Sequence, residues 1–273
     1  MKNLIFQVWS GNLRPGCEYS KNLFEKYAEQ IGAEYRLDID PNIASEVCEY
    51  NMYYEWLNFM LDDSFLEYDN VMLVDMDVFP IEGLEENIFE EFASYEKDIG
   101  ICTEPFQGKY RASTTIGGGI NNQNDELWTR AIRKSYNKVM PRDKDSYVKI
   151  YNAGMVMISK KGMIKAREKF DSFQGYIDKM KSHGLPKFYQ SDQMYIHAMT
   201  VAHADYVEMH NGWNGYVHYT RGPLGQKEPI HDGRTAEPKM VHIQLRGADF
   251  FKKDQLWKIT NKPLKEWQNE LMG

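Results

Sequence analysis

Apolar positions along the chain recur with two different periods, and the way those periods alternate predicts an α/β fold. Asn3 to Trp9 (NLIFQVW) is a continuous apolar run of strand length. After Gly16 the apolar residues Tyr19, Leu23, Tyr27 and Ile31, flanked by Phe24 and Ala28, follow helical spacing that Gly32 stops. Ala33 to Ile39 reads as a second strand, which Pro41 breaks. A helix over Glu46 to Asp62 then leads through Tyr68-Asp69-Asn70 into the apolar run Val71-Met72-Leu73-Val74, a buried strand ending at Asp75. Further strands are expected at Asp98 to Cys102, Ala153 to Ser159 and Lys239 to Gln244, with a helix near Glu126 to Asn137. Met163, Ala166, Phe170, Phe173, Ile177 and Met180 fit one face of a single helix. Early βαβα alternation favours a mostly parallel sheet covered on both faces. Between Asn211 and Pro238 periodicity vanishes and Gly, Pro and His accumulate, which predicts loops rather than a linker.

Composition narrows the function classes. With 42% hydrophobic and 27% charged residues among 273, the chain is globular throughout and long enough for a sizeable core. Lys plus Arg number 33 against 40 Asp plus Glu, a net charge of −7 that gives no electrostatic footprint for nucleic acid. The N-terminal stretch turns polar too early for a signal peptide, and no apolar run reaches membrane-spanning length. A soluble cytoplasmic protein is expected. Cys17, Cys48 and Cys102 have no CxxC spacing, so reduced thiols are expected rather than a disulfide framework or a zinc site.

The sharpest chemical feature is Val71-Met72-Leu73-Val74-Asp75-Met76-Asp77-Val78-Phe79-Pro80, a buried strand running into two carboxylates at i and i+2. Open α/β sheets place ligands at the carboxyl edge of their strands, and paired carboxylates there suit a hard divalent cation. A cation at that point could bridge the two phosphates of a sugar nucleotide. Acidic turn residues capping the next segment are the structural alternative. The chemical rival is a phosphatase whose first Asp attacks phosphorus, but that pattern reads DxDx[TV], whereas Phe79 stands at its last position here. Gly117-Gly118-Gly119 matches no dinucleotide or triphosphate cradle and reads as a loop. Trp213, Tyr216 and Tyr219 are candidates for a sugar-stacking platform, while His197, His203, His210, His218 and His231 read as surface or acceptor-loop residues.

The segment YDNVMLVDMDVFP resembles the metal-binding segment of GT-A glycosyltransferases, particularly family 8, the family of glycogenin and bacterial galactosyltransferases. Tyr151-Asn152-Ala153-Gly154 before an apolar strand resembles that family's (F/Y)N(A/S)G, Ser191-Asp192-Gln193 its DQ element, and Val241-His242-Ile243 with Gly247 and Lys252 its late His, Gly and Lys cluster. The resemblance spans about Asn3 to Lys253. It implies one GT-A domain with a nucleotide-binding half over about 1–110, a donor-sugar and acceptor half over about 111–260 and a C-terminal helix at 261–273. It implies transfer of a hexose from a nucleoside-diphosphate sugar, a uridine one, to a glycan or other hydroxyl acceptor, with retention. The implied metal, Mn²⁺ or Mg²⁺, is held by Asp75, Asp77 and His242. Donor contacts are implied at Val8, Trp9, Ser10, Met76, Asn152, Ala153, Gly154, Arg246, Gly247 and Lys252, and catalytic contacts at Asp192 and Gln193.

Local chemistry leaves several of these roles open. The small Ala153-Gly154 pair would let backbone approach a sugar, or Asn152 to Gly154 is only a turn into a strand. Asp192 either orients donor hydroxyls or, in an inverting enzyme, serves as general base, and Ser191 is placed to cap its helix. The sequence also departs from the family pattern. The spacing from His242 to Gly247 exceeds HxxG, Phe251-Lys252-Lys253 replaces Lys-Pro-Trp, and the segment before the DxD strand offers Tyr53, Tyr54, Glu55 and Trp56 where a basic residue is usual. Arg246, Lys252 or Lys253 would then supply the positive charge. A binding protein that holds the sugar nucleotide without turnover, or a lectin-like module using the aromatic loops, is the alternative from another class.

Overall fold

The computed structural model describes residues 1–44, 48, 54–104, 107–113, 118–218, 231–235, 237–244 and 253–266. Strand β1 (Asn3–Trp9) leads to helix α1 (Pro15–Ile31), which starts on Pro15 and ends where Gly32 turns left-handed at φ 68° and donates to the carbonyls of Ala28 and Glu29. Strand β2 (Glu34–Ile39) returns parallel to β1. Of the segment expected as a helix from Glu46 to Asp62, positions 46, 47 and 49–53 lie outside the described residues, Tyr54 is helical and Glu55–Met60 is a 3₁₀ turn, with a second 3₁₀ turn following at Asp63–Glu67. Leu57 breaks the first with ψ 25°, and Asp62 caps the second through the amide of Ser64.

Strand β3 (Asn70–Val74) sits beside β1 and is followed by β4 (Val78–Pro80), α2 (Ile88–Ser94), β5 (Ile99–Thr103), α3 (Gln107–Ser113) and α4 (Asn122–Tyr136). Next come β6 (Tyr151–Ser159), α5 (Lys160–Lys169), α6 (Phe173–Ser182) and α7 (Asp192–His203). The expected single helix over Met163 to Met180 is therefore two. The chain becomes extended at Phe170 and restarts where the Ser172 hydroxyl accepts from the amide of Gly175, and both halves keep their apolar face on the same core. Strands β7 (Tyr206–Glu208), β8 (Gly215–His218), β9 (His231–Asp232) and β10 (Met240–Gln244) and helix α8 (Lys253–Asn261) complete the described elements.

The main sheet has the order β2-β1-β3-β6-β5-β7. Its strands run in one direction except β6, which is antiparallel to both of its neighbours. Both faces are covered, which explains the unbroken apolar runs. In β3, Val71 and Leu73 enter one core with Val156 and Ile158 of β6, while Met72 and Val74 enter the other with Met155 and Met157. A second sheet, β4-β10-β8-β9, rises from the carboxyl edge of β3. Among the described residues no helix is long and apolar enough to cross a membrane.

Candidate active site

The regular strand ends at Val74, and the chain turns at Met76 and Asp77. Met76 drops into a third core with Cys17, Phe79, Val217, Val241 and Ile243, and Asp75 and Asp77 converge instead on one point. The chain turns there, with the amide of Val78 donating to the Asp75 carbonyl at 3.2 Å, and enters β4. Strand β10 pairs antiparallel with β4 and sets His242 opposite Val78. That register brings the imidazole onto the two carboxylates. One ligand atom from each of Asp75, Asp77 and His242 lies within 4.8 Å of the others, and His242 Nε2 is 3.2 Å from Asp77 Oδ1. Two carboxylates and an imidazole meeting at a point form a donor set that fits Mn²⁺ or Mg²⁺. Burial opposes charge on His242, but Asp77, Asp75 and Glu104 outweigh it and raise its pKa to about 9. Burial and the neighbouring Asp77 raise the carboxyl of Asp75.

The three residues sit at the wall of a cavity of about 500 Å³ that Asn152, Ala153, Gly154, Asp192 and Gln193 also line. Strand β6 supplies the first three, and the start of α7 supplies the last two. Asp192 accepts the indole N–H of Trp56 at 2.5 Å. Burial raises its pKa to about 6 against that hydrogen bond and those of nearby backbone amides. Gln193 Nε2 is anchored on the Tyr151 carbonyl at 2.8 Å, and the residue lines the cavity. Ser191 occupies the N-cap position of α7, yet its hydroxyl makes no capping bond, so the cap expected of it is not formed.

Gly154 is needed here for the histidine. A Cβ on it would stand 2.3 Å from His242 Nδ1 and 2.4 Å from Cε1, so the space above this glycine is filled by the imidazole. Of the residues expected to hold the nucleotide, Val8, Trp9 and Ser10 end β1 beside β3 and do not line this cavity. Met76 is buried in the third core, so only its backbone is open to a ligand. Arg246, Gly247 and Lys252 lie outside the described residues, as do Tyr53, Gly117, Tyr219 and Phe251. Lys253 stands over the ring of Tyr19, at the start of α8.

Two expectations need correction. Trp213 is fully buried, donates its indole N–H to Glu91 at 2.7 Å and carries Lys239 over its ring, so it offers no stacking face. Tyr216 lines the cavity, edge-on to His242 at 5.1 Å. His197 is a core residue rather than a surface one, wedged between Tyr151 and Trp128 at 4.4 and 5.0 Å. His210 accepts from the amide of Gly212 at a 3₁₀ turn.

Three cavity residues escaped the sequence reading. Glu104 follows β5 at the same sheet edge as the DxD and carries the same signal, an apolar strand ending in a carboxylate. Lys187 and Phe188 form the 3₁₀ turn just before Ser191-Asp192-Gln193, and only their nearness in sequence to Asp192 marks them. Lys187 is a cation at the cavity that the motif comparison did not supply.

No family model matches the chain, and no curated protein matches it. Among solved structures it is similar to a glycosyltransferase involved in glycosylation of the major capsid of PBCV-1, at 11% identity and a TM-score of 0.50, over 92% of this chain and 97% of that one. It is also similar to the galactosyltransferase LgtC, solved with donor and acceptor sugar analogues, at 11% identity and a TM-score of 0.49, over 98% of this chain and 99% of that one. The fold is that of the GT-A nucleotide-sugar transferases.

Proposed function

We propose that the protein is a metal-dependent glycosyltransferase that moves a hexose from a nucleoside-diphosphate sugar, a uridine one, to a glycan or other hydroxyl acceptor with retention at the anomeric carbon. The observation that carries the reading is the convergence of Asp75, Asp77 and His242 at the carboxyl edge of the sheet, on a cavity that Asp192 and Gln193 also line. Asp75, Asp77 and His242 would hold Mn²⁺ or Mg²⁺, which supplies Lewis-acid stabilisation of the departing diphosphate. Residues about 1–110 would serve the nucleotide and about 111–260 the sugar and acceptor, within one unit. Three buried cysteines, none in a disulfide, suit a reducing compartment and support a cytoplasmic setting.

The chain's own groups divide the remaining work. Trp56 fixes one oxygen of Asp192, and the carboxylate held in this way would orient sugar hydroxyls. The tether of Gln193 on the Tyr151 carbonyl would position its side chain toward the sugar. Lys187, with Arg246 and Lys252, would balance diphosphate charge. The uridine preference and retention rest on the family-8 resemblance of the DxD, NAG and DQ segments.

Thermal stabilisation by a panel of nucleotide sugars with Mn²⁺ should single out one donor, and that donor should be hydrolysed slowly without acceptor. Release of no sugar from any donor would favour a binding protein instead. Proton NMR of the first-formed product from an α-linked donor should show an α linkage. A β linkage would give Asp192, with its pKa near neutrality, the role of general base.

A further inference from the structure

The DxD carboxylates are fixed by their strand, but His242 needs a partner to decide which ring nitrogen it offers. Its Nδ1 lies 2.9 Å from Asn152 Oδ1. That oxygen also accepts the amide N–H of Gly154 at 2.6 Å and the Nδ2 of Asn214 at 2.9 Å. A backbone N–H can only donate, so the Gly154 contact fixes which end of the Asn152 amide faces the histidine. The other end agrees, since Asn152 Nδ2 donates at 2.5 Å to Oε1 of Glu104, a carboxylate that can only accept while ionised. Asn152 and Glu104 are both buried, and burial raises the pKa of Glu104 while Arg111, the Asn152 amide and His242 act to keep it ionised. With Oδ1 forced to be an acceptor, His242 Nδ1 must carry hydrogen, and Nε2 is the nitrogen turned toward Asp77.

We infer that Glu104 and Asn152 are positioning residues, a buried carboxylate and amide in series that select the Nδ1–H form of His242 and aim Nε2 at the divalent cation. This inference rests on the metal-holding reading above. It also changes what Asn152 does, since an oxygen already accepting three donors is not a hydroxyl acceptor for the sugar. Strand β5 is built for this arrangement. Its register against β6 shifts between Ile101 and Cys102, which sets Cys102 opposite Asn152, and Glu104 then follows at the strand's end with its amide on the Ile150 carbonyl.

The probe is Mn²⁺ alone, read by pulsed electron paramagnetic resonance for a directly bonded nitrogen and by calorimetry for affinity. Wild type should show one nitrogen coupling. Asn152→Leu removes the acceptor at similar size, and it should lose that coupling and bind Mn²⁺ about 10–100-fold more weakly, the usual effect of removing a group that orients a metal ligand. Glu104→Gln keeps an acceptor for the Asn152 amide, and Asn152→Asp made together with Glu104→Gln keeps an acceptor for Nδ1–H while the glutamine amide donates to the new carboxylate, so both should retain the coupling. If Asn152→Leu melts below the assay temperature, Glu104→Leu takes its place, with a weaker coupling expected. A leucine variant with wild-type coupling and affinity would overturn the inference while leaving the glycosyltransferase reading intact. A wild type that binds Mn²⁺ without nitrogen coupling would overturn both the inference and the three-ligand site. A nitrogen coupling with no sugar transfer from any donor would sink the proposed activity alone.

Discussion

Replacing Gly154 by alanine tests how tightly the histidine is seated. The added methyl would lie 2.3 Å from His242 Nδ1, 2.4 Å from Cε1 and 2.9 Å from Asn152 Oδ1. Ordinary carbon contacts are about 3.5 Å or more, so the ring must retreat by roughly 1 Å. The backbone cannot yield easily, because the Gly154 carbonyl holds the amide of Asp75 at 2.9 Å and its own N–H is bound to Asn152. Nor can the ring turn freely, since Tyr216 packs edge-on against it and Asn152 holds Nδ1. Overpacking of this kind costs about 1–3 kcal/mol, which in a chain of this size corresponds to roughly 2–10 °C in Tm. Moving a positioned group by about 1 Å can cost on the order of 100-fold in rate. Scanning calorimetry, Mn²⁺ titration and initial-rate measurement on Gly154→Ala should therefore show a modest fall in Tm with a disproportionate fall in metal affinity and turnover. Wild-type affinity and rate in a folded Gly154→Ala protein would refute the claim that this glycine exists to seat His242.

The other predictions concern groups whose burial or charge the structure makes unusual. His197 has no hydrogen-bond partner for either nitrogen among the described residues, and burial lowers its pKa to about 3. The unfolded chain therefore takes up the proton first as pH falls below the ordinary histidine range, and stability drops from there toward pH 3. His197→Phe should raise Tm at neutral pH and flatten that acid loss in urea titrations, and an unchanged pH slope would contradict the assignment. Trp56→Phe removes a donor that favours ionised Asp192, so the ascending limb of the rate–pH profile should move to higher pH, and a fixed limb would separate Asp192 from the rate. Arg111 and Asp125 form a buried pair at 2.9 Å, with Tyr189 also donating to Asp125, and Asp125→Ala should cost about 3–5 kcal/mol in denaturant melts by stranding the guanidinium.

The parts of the fold legible in sequence were those with a local physical cause. Val71 to Val74 is apolar on both faces because helices cover both, and Gly32 stops α1 because the chain there turns left-handed. The paired placement of Asp75 and Asp77 follows from the end of the strand, where the chain leaves the pleat in a turn and Met76 between them goes to the core. What the sequence hid depends on contacts far apart in the chain. The break at Phe170 to Ser172 leaves the apolar spacing almost undisturbed, so two helices read as one. His197 and Trp213 are buried by packing that no local pattern announces. Glu104 meets Asn152 only because β5 and β6 are paired, and Lys187 reaches the cavity only because its turn precedes α7. His242 was approachable through its apolar strand, but its register opposite Val78 is a tertiary fact.

Calorimetric titration of uridine diphosphate into the protein, with and without Mn²⁺, in wild type and in Asp77→Ala, tests the central claim most directly. The account predicts tight binding by wild type only with Mn²⁺ present, and loss of that metal-dependent increment in Asp77→Ala while the variant keeps its fold. Binding of equal strength with and without Mn²⁺, or an Asp77→Ala protein that retains the full metal effect, would contradict it.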